Sequence, residues 1–297
     1  MPLRYEAGEV ITAMVTPFNS KREIDYNKTE SLAKYLASNG SDAILVAGTT
    51  GEGPTLTFDE ELEITSTVKR AVAGHTKIIM NAGSNCTETA VRTAKNAEKE
   101  EVDAILSVVP YYNKPSQEGM YEHFAAVAKA TNLPIIIYNI PSRTGVNILP
   151  KTVAKLANEF SNIVAIKQSC PDMDSITELK LECPEDFSIY SGDDSLTLPM
   201  MSLGARGVIS VASHLYGKEI KSMIRNYKTG EYYAAVNMHK KLYPVFKSLF
   251  LVPNPIPVKA ALERKGLIDG YLRLPLKELD DSKKAELFSI LDQFDAD

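Results

Sequence analysis

The sequence predicts an α/β fold, a (β/α)8 TIM barrel with a C-terminal helical extension. Three observations predict it. Eight short apolar runs recur between residues 10 and 211, helical patterns separate them, and the runs lack the in-out alternation of a sheet with one wet face. Strand and helix alternating in this way build right-handed βαβ units around a parallel sheet. An open doubly wound sheet is the competitor. It usually carries a Gly-rich nucleotide fingerprint after its first strand, and here that strand runs into "VTPFNS" (15–20) instead.

The strands are expected at "VITAMV" (10–15), "DAILVA" (42–47), "KIIMNA" (77–82), "DAILSVV" (103–109), "PIIIYN" (134–139), "IVAIK" (163–167), "FSIYS" (187–191) and "GVISV" (207–211). Between them, Thr57 and Glu60 have the spacing of a capping box, ahead of a helix that places Phe58, Leu62, Val68 and Val72 on one face. After Pro115, the residues Met120, Phe124, Val127 and Ala128 keep helical spacing. Pro150 suits the first turn of the next helix and Asn158 its end. Past the last strand, "GEYYAAVNMHKKLYPVFKSLF", "PVKAALERKG" and "SKKAELFSILDQF" all read as helix. The expected organisation is a catalytic barrel over 1–229 and a helical region over 230–297 packed on it.

Composition removes several function classes. Among 297 residues, 44% are hydrophobic and 24% charged, which is ordinary for a globular chain. A net charge of −5 gives no electrostatic reason to expect nucleic acid. The opening "MPLRYEAGEV" lacks the charged-then-apolar pattern of a signal peptide, and no apolar run reaches membrane-span length, so no membrane is expected and the location is expected to be cytoplasmic. Cys86, Cys170 and Cys183 are odd in number with no C-x-x-C spacing, which argues against a disulfide framework or a zinc site.

In such a barrel the chemistry gathers at the C-terminal ends of the strands. Those ends fall at Thr16, "GTTGEG" (48–53), "PYYN" (110–113), "YNIPSRTG" (138–145), Lys167, "SGDD" (191–194) and Ser210. They carry the hydroxyls of Thr49, Thr50, Tyr111, Tyr112 and Tyr138, one amine at Lys167 and one guanidinium at Arg143. Histidine is missing from the set. His75 lies ahead of strand three, His123 and His239 fall within helices, and His214 follows strand eight without a clustered partner. Metal-dependent chemistry would want His and carboxylates converging, and only Glu52, Asp193 and Asp194 are to hand, so no metal and no cofactor is expected. Two carboxylates in "SGDDS" also disfavour a phosphorylated substrate.

An amine with hydroxyls around it can form a Schiff base with a carbonyl substrate, and the iminium is then an electron sink for making or breaking a carbon–carbon bond. Only the free amine attacks, and desolvation favours that form. Ile163, Val164, Ala165 and Ile166 leading to Lys167 supply apolar surroundings. With no histidine near, tyrosine and threonine hydroxyls are the available proton carriers. Each residue also has a structural reading. Tyr111 and Tyr112 suit half-buried aromatics, "GTTGE" suits either a turn or a carboxylate cradle, and Arg143 suits either a surface ion pair or bidentate carboxylate binding. Asp193 and Asp194 read as loop or cap residues.

"GTTGEG", "PYYNKPSQEG", "YNIPSRTG", "AIK", "SGDD", "GVISV" and "PNPIPVKAAL", in this order and spacing along nearly the whole chain, closely resemble the 4-hydroxy-tetrahydrodipicolinate synthases. Those belong to the N-acetylneuraminate lyase superfamily of Schiff-base barrel aldolases. The resemblance implies that pyruvate condenses with L-aspartate-4-semialdehyde in diaminopimelate and lysine synthesis. It implies the imine at Lys167, proton transfer at Tyr138, a relay completed by Thr49 and Tyr112, pyruvate contacts from Thr50 and Ile209 with Gly192 also lining the site, and Arg143 on the semialdehyde carboxylate. It further implies that Tyr112 comes from a neighbouring subunit, hence a homo-oligomer of at least a dimer, with a tetramer expected.

The chain departs from the family pattern in two respects. Gln168 follows the lysine where members commonly have Glu, which takes a potential negative charge from the chain there. In the effector pocket of lysine-inhibited relatives, Asn85 and Tyr111 are kept, but Phe58 and Thr89 stand where His and Glu are typical, so inhibition by lysine is expected to be weak or absent. A lyase acting on N-acetylneuraminate or a 2-keto-3-deoxy sugar acid is the same-mechanism alternative, disfavoured by Arg143. A barrel that binds a keto acid without turnover is the other, disfavoured because binding alone needs no proton relay.

Overall fold

A computed structural model describes residues 4–296. In chain order the elements are β1 (Val10–Ala13), α1 (Tyr26–Ser38), β2 (Ala43–Val46), α2 (Phe58–Val72), β3 (Lys77–Asn81), α3 (Thr87–Lys99), β4 (Ala104–Val108), α4 (Gln117–Ala130), β5 (Ile135–Asn139), α5 (Pro141–Thr144), α6 (Pro150–Glu159), β6 (Ile163–Gln168), α7 (Met173–Glu182), β7 (Ser188–Ser191), α8 (Thr197–Ser202), β8 (Gly207–Ser210), α9 (Ser213–Lys228), α10 (Tyr232–Ser248), α11 (Ile256–Arg264) and α12 (Asp281–Ala296). The strands close into one barrel in sequence order, β1 to β8. Most are buried at every position, as strands covered on both faces must be.

The helices start where side chains satisfy their free N–H groups. Asp25 accepts from the Lys28 N–H at 2.9 Å, Ser116 from Gly119, and Asp172 from Asp174 and Ser175. Thr57 and Glu60 complete the capping box expected for α2. The buried face of that helix differs from the expected one. Ile64, Thr65, Thr67, Val68 and Val72 are buried, whereas Phe58 and Leu62 are only partly covered, so the buried stripe of this helix begins at Ile64 rather than in its first turn. Met120, Phe124, Val127 and Ala128 of α4 are buried as expected, and α6 runs from Pro150 past Asn158. On α3 the face is made of Ala90, Thr93, Ala94 and Ala97, small residues that let a helix lie close to what it covers.

Contacts divide the chain into two compact units, Met1–Gly8 with Ile79–Ile209 and Glu9–Ile78 with Ser210–Asp297. The second therefore holds β1 and β2 together with α9 to α12. Among the described residues no helix is long and apolar enough to cross a membrane.

Candidate active site

β6 carries Lys167, and a local irregularity sets which way the side chain points. β5 and β6 pair in parallel with Ile135 opposite Ile163 but Ile136 opposite Ala165, so the β6 side has one extra residue, Val164. Beyond that bulge Tyr138 stands opposite Lys167, and Asn139 opposite Gln168. Side chains directly opposite on parallel strands share a face, and a one-residue slip reverses the face. The bulge therefore puts Lys167 beside Tyr138, with its Nζ 4.2 Å from the centre of the tyrosine ring. Both are almost fully buried, at 7% and 6% exposure.

Gln168 takes the opposite face. Its Oε1 accepts from Asn139 Nδ2 at 2.9 Å, and the same nitrogen donates to Asn147 Oδ1 at 2.6 Å. Asn139 and Gln168 are buried, so this amide chain lies behind the strands and reaches the 140–149 segment. That segment carries Arg143, exposed on α5, whose helix ends at Gly145 with φ +75°.

The loop after β4 is tied to the same region. The Tyr112 N–H donates to Thr144 O at 3.3 Å, and Asn113 Nδ2 donates to Asn85 O at 2.9 Å. Tyr112 holds φ +73°, unusual for a bulky residue, and the residue is 87% exposed; Tyr111 is 40% exposed. After β7, Gly192 donates its N–H to Gln168 O at 2.8 Å. Ile209 is buried within β8. The unit of Met1–Gly8 with Ile79–Ile209 thus holds Asn85, Tyr111, Tyr112, Tyr138, Arg143, Lys167, Gly192 and Ile209.

The other unit holds Thr49 and Thr50, on the loop after β2. Thr50 is buried, and its Oγ1 accepts from Asn254 Nδ2 at 2.9 Å. Glu52, weighed above as a metal-ligand candidate, is spoken for: Lys259 Nζ donates to its Oε1 at 2.5 Å in a pair buried on both sides. Burial pushes Lys259 down to about 8, with the Glu52 carboxylate working against that shift. The Arg273 backbone N–H closes the other Glu52 oxygen at 3.0 Å, and the Arg273 guanidinium binds both oxygens of Glu60. Burial and these donors leave Glu52 no open ligand position.

Three other expectations are corrected or sharpened. β1 ends at Ala13, not Thr16, because Thr16 turns its hydroxyl to Gly51 O at 2.6 Å. His214 does have partners. Its Nε2 accepts from the Val15 N–H at 3.1 Å, its Nδ1 lies 2.8 Å from Val211 O, and complete burial pushes it down to about 4, so it stays neutral. Asp193 caps the 3-10 turn Asp194–Leu196, accepting from Ser195, as a loop residue should. Among the described residues no group of three or more His, Cys, Asp or Glu side chains is placed to hold a metal ion.

Sequence reading missed Asn254, Lys259 and the Asn139–Gln168 pair. Asn254 and Lys259 lie in "PNPIPVKAAL", where a lysine among apolar helical positions was the available signal for a buried ion pair. The amide pair had none, because asparagine and glutamine fit surface and core alike.

A closed barrel with a buried amine near the C-terminal end of its sixth strand fits a class I, aldolase-type lyase. The comparisons narrow that class. The chain belongs to the dihydrodipicolinate synthetase family, whose profile matches residues 6–294. A 4-hydroxy-tetrahydrodipicolinate synthase of Desulforamulus reducens is 51% identical over 271 residues, covering 91% of this chain and 92% of that one. The crystal structure of a dihydrodipicolinate synthase of Cyanidioschyzon merolae with lysine bound superposes with a TM-score of 0.96 at 46% identity, covering 98% of this chain and 99% of that one. A dihydrodipicolinate synthase described as a monomeric variant superposes at 0.94, with 40% identity and 97% and 96% coverage.

Proposed function

We propose that the chain condenses pyruvate with L-aspartate-4-semialdehyde to 4-hydroxy-tetrahydrodipicolinate, in the diaminopimelate and lysine pathway, through a Schiff base on Lys167. The observation that carries this reading is the buried amine of Lys167 lying 4.2 Å from the Tyr138 ring centre on one face of β5 and β6. In it, the Lys167 amine adds to the ketone carbon of pyruvate and the carbinolamine loses water. Loss of a methyl proton gives the enamine, which attacks the aldehyde carbon to form the new carbon–carbon bond. The amino group of the semialdehyde then displaces lysine as the ring closes, and one water is released overall.

Tyr138 moves protons in these steps, and family resemblance assigns Thr49 and Tyr112 to the same relay. Thr50, Ile209 and Gly192 are read as pyruvate contacts and Arg143 as the clamp for the semialdehyde carboxylate. A planar guanidinium held on a short capped helix suits that task. Asn85 and Tyr111 are read as remnants of an effector pocket with weak or absent response to lysine. A homo-oligomer of at least two chains, a cytoplasmic location, and the division into a barrel over 1–229 and a helical region over 230–297 belong to the same reading.

The test is trapping. Incubation with pyruvate and borohydride should place one reduced pyruvate adduct on Lys167, located by mass spectrometry. Turnover of pyruvate plus semialdehyde should then exceed cleavage of sialic or ketodeoxy acids. No adduct at Lys167 sinks the Schiff-base reading, and faster sugar-acid cleavage sinks the substrate assignment.

A further inference from the structure

The loop that bears Thr50 is held at two points by residues from the C-terminal part of the chain. Lys259 on α11 and the Arg273 backbone N–H together engage both oxygens of Glu52, which keeps φ at +56° in a conformation unfavourable for a non-glycine residue. Two residues back along that loop, Asn254 Nδ2 donates to Thr50 Oγ1 at 2.9 Å. Asn254 is 6% exposed and Thr50 4%. Among the described residues the amide oxygen of Asn254 is buried and has no hydrogen-bond partner.

The direction of the Asn254–Thr50 bond decides what the threonine can do. A hydroxyl has two lone pairs and a single proton. A neighbour that accepts would take that proton and leave Thr50 only able to accept, which is useless toward an anion. A neighbour that donates uses a lone pair and leaves the proton to give. The backbone around the hydroxyl is meanwhile fixed by the buried Glu52–Lys259 pair, so the hydroxyl is held in place as well as polarised.

We propose that Asn254 is a positioning residue for the substrate's carboxylate: by donating to Thr50 Oγ1 it reserves the Thr50 O–H as a donor to the carboxylate of an α-keto acid. This goes beyond the pyruvate reading above and rests on it. It makes the C-terminal region part of substrate recognition, although Asn254 itself acts only through Thr50.

The experiment is a pyruvate titration of borohydride trapping at Lys167, with steady-state kinetics, on wild type, Asn254→Ala, Asn254→Asp, Thr50→Ala and the Asn254→Ala/Thr50→Ala pair. Asn254→Asp can only accept from the hydroxyl and adds a negative charge. It should raise the pyruvate concentration for half-maximal trapping by more than about tenfold, and Asn254→Ala by about three- to tenfold. At saturating pyruvate, kcat and the KM for the semialdehyde should stay near wild type, a split that general loosening of the fold does not produce. In the Thr50→Ala background, Asn254→Ala should have no further effect on pyruvate. Additive losses in that pair, parallel losses in both substrates, or an Asn254→Asp variant that traps like wild type overturn the proposal. A wild type that traps no pyruvate overturns the functional reading with it, so the two failures are told apart.

Discussion

At the scale of single residues, the position after the lysine shows how a strand separates neighbours. Gln168 is adjacent to Lys167 in sequence, yet it faces the other way, into the amide chain with Asn139 and Asn147. A glutamate there would accept the same Asn139 N–H, because a carboxylate offers the acceptor the amide oxygen supplies. Gln168→Glu is therefore expected to keep kcat within about threefold of wild type. Gln168→Leu strands a buried N–H and should cost about 1–3 kcal/mol of stability, read as an earlier thermal unfolding transition. If Gln168→Glu instead slowed pyruvate trapping tenfold, charge at 168 would be reaching the amine through the strand. Lys167 and Tyr138 were legible in the sequence because an amine and a phenol are conspicuous at the ends of apolar runs. Asn254 was not, since nothing in its local pattern says whether an asparagine turns outward or grips a threonine more than two hundred residues away.

At the scale of elements, all eight strands were legible, because burial on both faces writes itself as uninterrupted Val, Ile and Leu. Their ends lie within one residue of the expected runs except at β1, which stops at Ala13, two residues short of the run's end. The bulge at Val164 was not legible, and it is what turns Lys167 to the face of Tyr138. Register is decided between strands, and one strand's sequence does not contain it. Gly192 shows a second such constraint. A Cβ there would lie 1.9 Å from Ser169 Oγ, 3.0 Å from Lys167 Cε and 3.1 Å from Lys167 Cγ. The glycine is therefore required for the room it leaves beside the lysine stem. Gly192→Ala should fold, since the clash is with side-chain atoms that can swing aside, but the displaced stem should lower the rate of pyruvate trapping by about tenfold or more. Circular dichroism beside the trapping assay checks this; wild-type trapping in the alanine variant would mean the stem has slack that the packing does not show.

At the scale of the whole molecule, one residue proposed for the chemistry is the least covered. Tyr112 is 87% exposed and sits at φ +73°, so the chain bears both a strained backbone and a large wet ring at this position. Both are explained if the ring is covered by, and completes the site of, a second copy of the chain. That arrangement makes a distinctive prediction. Lys167→Ala loses the imine, and Tyr112→Phe loses the relay hydroxyl, so each alone should be at least about tenfold slower than wild type. When the two are unfolded or dissociated together and reassembled, half of randomly formed pairs are mixed. In each mixed pair the Tyr112→Phe chain keeps its lysine and receives an intact tyrosine from its partner, which completes one site of the two. Activity should then recover to about a quarter of wild type, as isologous exchange of a site residue requires. If Tyr112 serves its own chain, no mixed pair contains a complete site and the mixture stays at the level of its components. A monomer by analytical ultracentrifugation at assay concentration, with full activity, would exclude the shared site as well.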